Sequence, residues 1–427
     1  MDTRPGTSSE SGNGGQWAPA RGGSPSFLRQ VNVLSVLRTV REQGPLSRTD
    51  LRRLTSLSRP TINEVLGVLF ATGYLIEDEP DIGQRSFRSG PAPRMLRFAA
   101  EVGHVCGIDI GAEKILVKLA RLDGEVVASV RVATPRLSTP AETIRRVRNA
   151  VRIACTEAGI GEVEVRQAAV STPGIVDPST GCVFLAPQLR GWEGLRLADR
   201  LALQCPVVVE NEMHLAVLGE RWRGAAKGID DVVYIGLGVG IGAGVVLGGR
   251  LHRGLGGAAG EIGYLPLTVD ADAVTGGRGA FETAAGAHAL GARAQKLARG
   301  RNGGLLRELA GGDPTEVTAA TLFAAASAGD AAAATLISDE AKLLAHAIAT
   351  VALVLAPSVV IIGGGLSRAG ALLLDPIQER LPALLPVPPP QVLQSTLGED
   401  AATIGAIYVA LQITDDRLYT TVAGGER

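Results

Sequence analysis

An excess of positive charge is the first thing this sequence lacks. Its 427 residues carry 42 basic and 43 acidic side chains, a formal net charge of -1. A polycation that coats nucleic acid along its whole length is therefore excluded, and any nucleic-acid site has to be local. Cysteine is sparse and scattered: Cys106, Cys155, Cys182 and Cys205 form no CxxC pair. Neither a disulfide framework nor a zinc knuckle follows from that spacing, and free thiols in a reducing cytoplasm are expected. A secretory leader is missing too: residues 1–23 are rich in Gly, Ser and Pro and read as a disordered tail. The one long apolar run, Leu343 to Ile362, is broken by Pro357 and Ser358. It reads as a buried helix followed by the buried strand Val359 to Ile362, not as a membrane span.

What is present is apolar mass: 46% hydrophobic residues in a chain long enough for two or three cores. Strand-like runs alternating with helical stretches after about Val102 point to an α/β architecture. Before that point the signals are helical. Leu28, Val31, Leu34, Leu37 and Val40 are spaced as a helix that Gly44 and Pro45 stop. Ser47 is placed to cap a second helix, with Asp50 three residues on and Leu51 and Leu54 facing inward. Ser58 caps a third, which tolerates Pro60 in its first turn, turns Ile62, Val65, Leu66 and Leu69 inward and ends at Gly73. Leu75-Ile76 and Met95 to Phe98 are expected to pair as a hairpin around a loop holding Arg85, Arg88 and Arg94.

Three short helices and a basic hairpin make the layout of a winged helix-turn-helix. In such a domain the second helix of the pair enters the major groove by its N-terminal end. Here that end is Ser58-Arg59-Pro60-Thr61, with Asn63 beyond it. Arg59 and Asn63 have donors suited to base edges, and Ser58 and Thr61 suit phosphates. Arg85 and Arg88 are expected to reach backbone or minor groove. Up to Ala99 there are thirteen arginines against nine acids, a local +4. The competing reading of this segment is a helical docking domain with merely solvated arginines.

Further along, Cys106 to Gly111 reads as a strand entering a tight turn at Asp109 and Gly111, followed by a strand Val117 to Leu122. Val232 to Val246 places glycines at 236, 238, 240, 242 and 244, which lets backbone amides approach a ligand closely, although no Walker lysine follows. Taken in order with Ser171 to Asp177, Ala186 to Trp192, Val209-Glu210-Asn211-Glu212, Gly254 to Gly263 and Ile362 to Leu366, these motifs resemble the ROK family (repressor, open reading frame, kinase) from Val105 to about Ala410. The N-terminal extension resembles that of the family's repressors.

The resemblance implies an actin-like (ribonuclease H-like), two-lobed sugar-kinase fold behind the winged helix. The expected boundaries are a tail at 1–23, a DNA-binding domain at 24–99 and a sensor at 100–427. Lobe one would take about 100–210 with a C-terminal helix at about 400–420, and lobe two about 211–398. The resemblance further implies sugar contacts at Gly174, Gln188, Asn211, Glu212, Glu261, Tyr264 and Glu282, and phosphate loops around Asp109, Gly111, Gly238, Gly240 and Gly242.

This chain departs from the kinases at informative places. Glu212 stands where they carry the aspartate base, and one more methylene displaces it from in-line geometry. Glu113 would repel a triphosphate, and Val239 replaces a hydroxyl donor. Tyr264, Ala273, Thr275 and Ala280 occupy the four positions of the family's zinc ligands, so no zinc is expected. The reading that follows is a cytoplasmic, homodimeric or tetrameric, sugar-responsive repressor of operator DNA in carbohydrate metabolism. It would have no membrane contact, no metal and no need of ATP. An ATP-dependent sugar kinase with an accessory DNA-binding head, and a sugar-independent dimeric scaffold, stand as alternatives.

Overall fold

The computed structural model describes residues 25–78, 93–135, 138–187, 189–266, 274–275 and 278–424. They fall into two units, divided between Ala99 and Ala100, with the residues from Leu418 onward grouped with the first.

In the first unit, α1 (Pro25–Gln43), β1 (Leu46–Ser47), α2 (Arg48–Thr55), α3 (Arg59–Ala71), β2 (Leu75–Asp78) and β3 (Met95–Phe98) follow one another. The strands form an antiparallel sheet in the order β1-β3-β2. Local chemistry sets the helix starts. Ser47 Oγ accepts from Asp50 N, and Asp50 closes the capping box on Ser47 N. Ser58 Oγ accepts from Thr61 N, with Pro60 in the first turn of α3.

Ile62, Val65, Leu66 and Leu69 are buried, as their spacing requires, against Leu51 and Leu96. The stripe expected on α1 is corrected: Val33, Val36, Leu37 and Val40 face the core, while Leu28 and Val31 are exposed. Positions repeating strictly every three residues drift about 60° per step round a 3.6-residue helix, so such a series cannot stay on one face. Leu54, about 60° round α2 from buried Leu51, is also exposed. The strand β1, too short to leave a periodic signal, pairs with β3 at Leu46↔Leu96.

The second unit opens with β4 (His104–Ile110), β5 (Lys114–Arg121), β6 (Val126–Ala133), α4 (Pro140–Glu157) and β7 (Val165–Thr172). A small sheet follows, of β8 (Ile175–Val176), β9 (Cys182–Phe184) and β10 (Leu195–Arg196). Next come α5 (Leu197–Leu201), β11 (Val207–Asn211) and α6 (Glu212–Arg223). The first large sheet runs β11-β7-β4-β5-β6, with β11, β7 and β4 parallel. Every residue of β4 is buried, the continuous apolar pattern of a strand covered on both faces.

The chain then forms β12 (Val232–Leu237), β13 (Ile241–Leu247), β14 (Arg250–Leu251), β15 (Val274–Thr275), β16 (Arg278–Gly279) and α7 (Ala280–Ala285). The rest is α8 (Ala287–Arg299), α9 (Gly304–Leu309), α10 (Ala319–Ser327), α11 (Ala331–Leu355), β17 (Val359–Gly363), α12 (Ala371–Arg380), β18 (Gln391–Gln394) and α13 (Ala401–Gly424). The second large sheet runs β14-β13-β12-β17-β18, with β12, β17 and β18 parallel. Each sheet has its own core. The apolar run at 343–362 is the end of α11 and the start of β17, and no described helix is long and apolar enough to cross a membrane.

α6 ties this unit together. The glycines of the β12–β13 hairpin let the helix lie on the sheet: a Cβ on Gly244 would stand 2.0 Å from Met213 O, and one on Gly236 would stand 2.4 Å from Met213 Sδ. At the other end, buried Glu220 accepts from Ser395 Oγ at 2.5 Å, Leu397 N at 3.1 Å and Ala225 N at 2.7 Å. A buried carboxylate is tolerable only when its oxygens are satisfied in this way.

Candidate functional site

In the first unit the start of α3 stands open. Ser58, Arg59 and Pro60 are exposed and Thr61 is half-buried. The Ser58 and Thr61 hydroxyls lie 2.8 Å apart, so Ser58 serves the cap as well as any outside partner. Asn63 is exposed, and its Oδ1 accepts from Arg48 Nη1 at 3.1 Å. Arg48 in turn reaches Glu77 at 3.0 Å. The Asn63 amide nitrogen remains as a donor, in an orientation set by Arg48. Arg85 and Arg88 lie outside the described residues.

In the second unit a cleft gathers six of the expected contacts: Gly174, Asn211, Glu212, Glu261, Tyr264 and Glu282. Gly240 and Gly242 of the hairpin line it as well. Gln188 lies outside the described residues. The turn from β11 into α6 sets its centre. Asn211 is the cap of α6: Oδ1 accepts from Met213 N at 2.8 Å and from His214 N at 3.2 Å. Asn211 Nδ2 donates to Gly174 O at 2.8 Å. One amide hydrogen is left for a ligand. Glu282, at the start of α7, accepts from Ile241 N at 3.2 Å with Oε2, so part of its capacity is spent on holding β13.

Electrostatics separates the carboxylates. Burial pushes Glu212 up to about 8, and the Asp109 and Glu261 carboxylates act in the same direction. A carboxyl shifted this far carries its proton more of the time at neutral pH than an ordinary glutamate does, and in that form it can donate a hydrogen bond. Glu261 is also raised, by burial and by Glu282, against the opposing charge of His214. Tyr264 is raised by burial and by Glu261 and Glu282. The floor of β4 carries Asp109, which accepts from Ser171 Oγ at 2.6 Å and is raised by burial. Gly111 follows it, and Glu113 beyond the turn is exposed. Val239 and Gly238 occupy the tip of the β12–β13 turn, where Gly238 N donates to Gly240 O.

Beneath Asn211 lies a cluster that the motifs did not single out. Glu210 Oε2 accepts from Arg253 Nε at 2.6 Å, and Oε1 accepts from Asn211 N at 3.1 Å and lies 3.0 Å from His214 Nδ1. Burial alone would raise Glu210, but His214 and Arg253 hold it below the ordinary carboxylate range. Sequence offered one hint of this: Glu210 and His214 are four apart, a spacing that meets once α6 begins. Met213 and Arg278 also line the cleft without having been anticipated.

The residues at the zinc positions do not fit the metal. Tyr264 and Ala280 supply neither thiolate nor imidazole, Thr275 is no better by type, and Ala273 lies outside the described residues. Among the described residues no group of three His, Cys, Asp or Glu is placed to hold a metal ion.

Comparison with known proteins gives this geometry a family. The ROK family model matches residues 105–413. A xylose repressor of Caldicellulosiruptor bescii is 29% identical over 369 residues, covering 84% of this chain and 88% of that protein. A glucokinase of Thermotoga maritima is 33% identical over 309 residues, covering 71% of this chain and 96% of that protein. A solved ROK family transcriptional regulator, a homologue of E. coli Mlc, superposes with a TM-score of 0.73 at 23% identity, covering 93% of this chain and all of that one. That likeness speaks for the fold alone. Two five-stranded sheets, a cleft lined by the quoted motifs and a family match over most of the chain converge: this chain belongs to the ROK family and has its actin-like, sugar-kinase-type fold.

Proposed function

We propose that this chain is a sugar-responsive transcription repressor. Its first unit is a winged helix-turn-helix that holds operator DNA through Ser58, Arg59, Pro60, Thr61 and Asn63, with Arg85 and Arg88 in the wing. Its second unit binds a sugar or sugar derivative in the cleft of Gly174, Asn211, Glu261, Tyr264 and Glu282, and Gln188, outside the described residues, is assigned to the same ligand from the sequence motif alone. The observation that carries the reading is the open first turn of α3, presented by a unit separate from the one that holds the cleft. A groove-reading helix needs that opening, and an enzyme does not. A homodimer would set two such helices on a two-fold related operator in the cytoplasm. A ligand that prefers one lobe arrangement would then change operator affinity by its differential affinity for the two arrangements. Similarity to the C. bescii xylose repressor over most of both chains supports this.

The same reading holds that neither zinc nor ATP turnover is needed. Support comes from Glu212, a longer side chain where the kinases carry the aspartate base, whose carboxyl burial pushes up to about 8. The decisive experiment is fluorescence anisotropy of the purified chain with DNA from upstream of its own gene, with and without D-xylose or D-glucose. Operator binding that either sugar shifts is the expected result; no binding at low salt under any condition removes the reading.

A second reading, an ATP-dependent sugar kinase, is favoured by the 33% identity to a glucokinase over nearly that enzyme's whole length. ATP consumption with a sugar panel, abolished in Glu212→Gln, would establish it.

A further inference from the structure

We propose that His214, Glu210 and Arg253 form a latch that sets the ligand loop at 253–264 in place, so that Glu261 stands in the cleft before a ligand arrives. The loop contains only two single turns of 3-10 helix, Leu255–Gly257 and Ile262–Tyr264. A strand ladder therefore does not satisfy its backbone, and Leu255 at its tip is 96% exposed. Something else has to hold its inner side.

That holder is visible. His214 is fully buried on α6, and its Nε2 lies 3.1 Å from Ala259 O. A carbonyl has no proton to give, so the imidazole is the donor in this bond. The other ring nitrogen faces Glu210 Oε1 at 3.0 Å, while Glu210 Oε2 receives Arg253 Nε at 2.6 Å. Arg253 O accepts from Ala259 N at 2.9 Å, which closes the loop upon itself, and Gly260 O accepts from Ala243 N at 2.7 Å. Both Glu210 oxygens are thereby committed, so this carboxylate holds structure and is not a ligand group.

The latch connects the two sides of the cleft. Asn211 and Glu212 stand at the start of α6, and Glu261 stands two residues beyond the carbonyl that His214 holds. The spacing between these groups decides which pair of hydroxyls can be bound at once. His214 is thus a positioning residue. That the positioned group serves a sugar rests on the function proposed above; that the loop is held by this latch does not.

Hydrogen–deuterium exchange on the full chain without ligand tests the latch directly. In His214→Asn, which keeps a partner for Glu210 but falls short of Ala259, the amides of 258–264 should exchange roughly tenfold faster, the loss of one buried hydrogen bond. Arg253→Ala, at a half-exposed position, should act in the same direction and guards against a His214 variant that fails to fold. Amides of α4 should stay at wild-type rates in both. His214→Gln carries an amide near the place of Nε2 and should restore the loop. Unchanged loop exchange in His214→Asn and Arg253→Ala, equal loosening in His214→Gln and His214→Asn, or loosening that extends to α4 would each overturn the latch. Calorimetry with D-xylose and D-glucose adds the functional arm: affinity should fall about tenfold wherever the loop is loosened, and undiminished affinity in a loosened variant overturns the positioning role. A wild type that binds neither sugar counts against the proposed function, and the exchange rates still decide the latch.

Discussion

The helical unit at 25–99 and the cleft unit behind it place their exposed chemistry by different means. In the first, a single helix start carries Ser58, Arg59, Pro60 and Thr61, and a cap and one proline define it. In the second, the cleft takes Gly174 from the end of the first sheet, Asn211 from the β11–α6 turn, Glu261 from a loop and Glu282 from α7. Residues at one helix end stay together as long as the helix forms. Residues gathered from four segments stay together only while every segment is packed. The first arrangement is robust to local change and the second is sensitive to it.

The sharpest way to break that contrast is to empty a core. Leu69→Ala, fully buried in the first unit, should cost about 3 kcal/mol and lower the melting transition of that unit. A calorimetric scan should show the cleft unit's transition unmoved, and a joint shift would mean the two are not separable. Next in size is Glu261→Gln, which exchanges an acceptor for a donor in a half-buried site. Sugar affinity should fall about 100-fold with DNA affinity unchanged. An equal loss of both would erase the division between the units.

Arg59→Ala should weaken operator binding about tenfold and leave sugar binding intact, if Arg59 reads a base or a phosphate; unaltered anisotropy titrations would take Arg59 out of the interface. Ser47→Ala removes a capping box and should cost about 1 kcal/mol in the first unit by denaturant titration.

The last expected effect concerns pH and reads the cleft unit alone. Burial pushes the Glu212 carboxyl up to about 8 from the ordinary value of 4.5. Between those values the unfolded chain releases the proton that the folded chain retains, so stability falls as pH rises. Glu212→Gln removes that penalty. Its melting temperature should match the wild type near pH 4.5 and exceed it by several degrees at pH 8.5; parallel melting curves across this range would show that Glu212 is not held neutral.

Much of this was legible in the residues. Ser47 with Asp50, Ser58 with Pro60, and the Ile62, Val65, Leu66, Leu69 stripe are local signals, and local hydrogen bonds and periodicity enforce them. The strand motifs at 104–110, 232–237 and 359–363 were legible for a related reason: strands covered on both faces are mainly apolar, with a polar group such as Asp109 kept only where it has a partner. The α1 face was misjudged because a threefold spacing mimics a helical one over two steps and departs from it over four. Among the glycines of the β12–β13 hairpin, Gly236 and Gly244 seat Met213, a packing role that the ligand-approach reading of the run did not include.

Sequence by itself determined where helices begin, which strands are buried and which residue types could meet a polyhydroxyl ligand. These follow from nearest-neighbour hydrogen bonds, side-chain periodicity and donor chemistry. Only the tertiary structure decided that Glu210 is spent on Arg253 and His214, that Asn211 keeps a single free hydrogen, and that burial raises the Glu212 carboxyl. Each of those depends on a distant partner, Arg253, Gly174 or Asp109, brought in from 37 or more residues away where water is excluded, and such a meeting leaves no periodic trace in the chain.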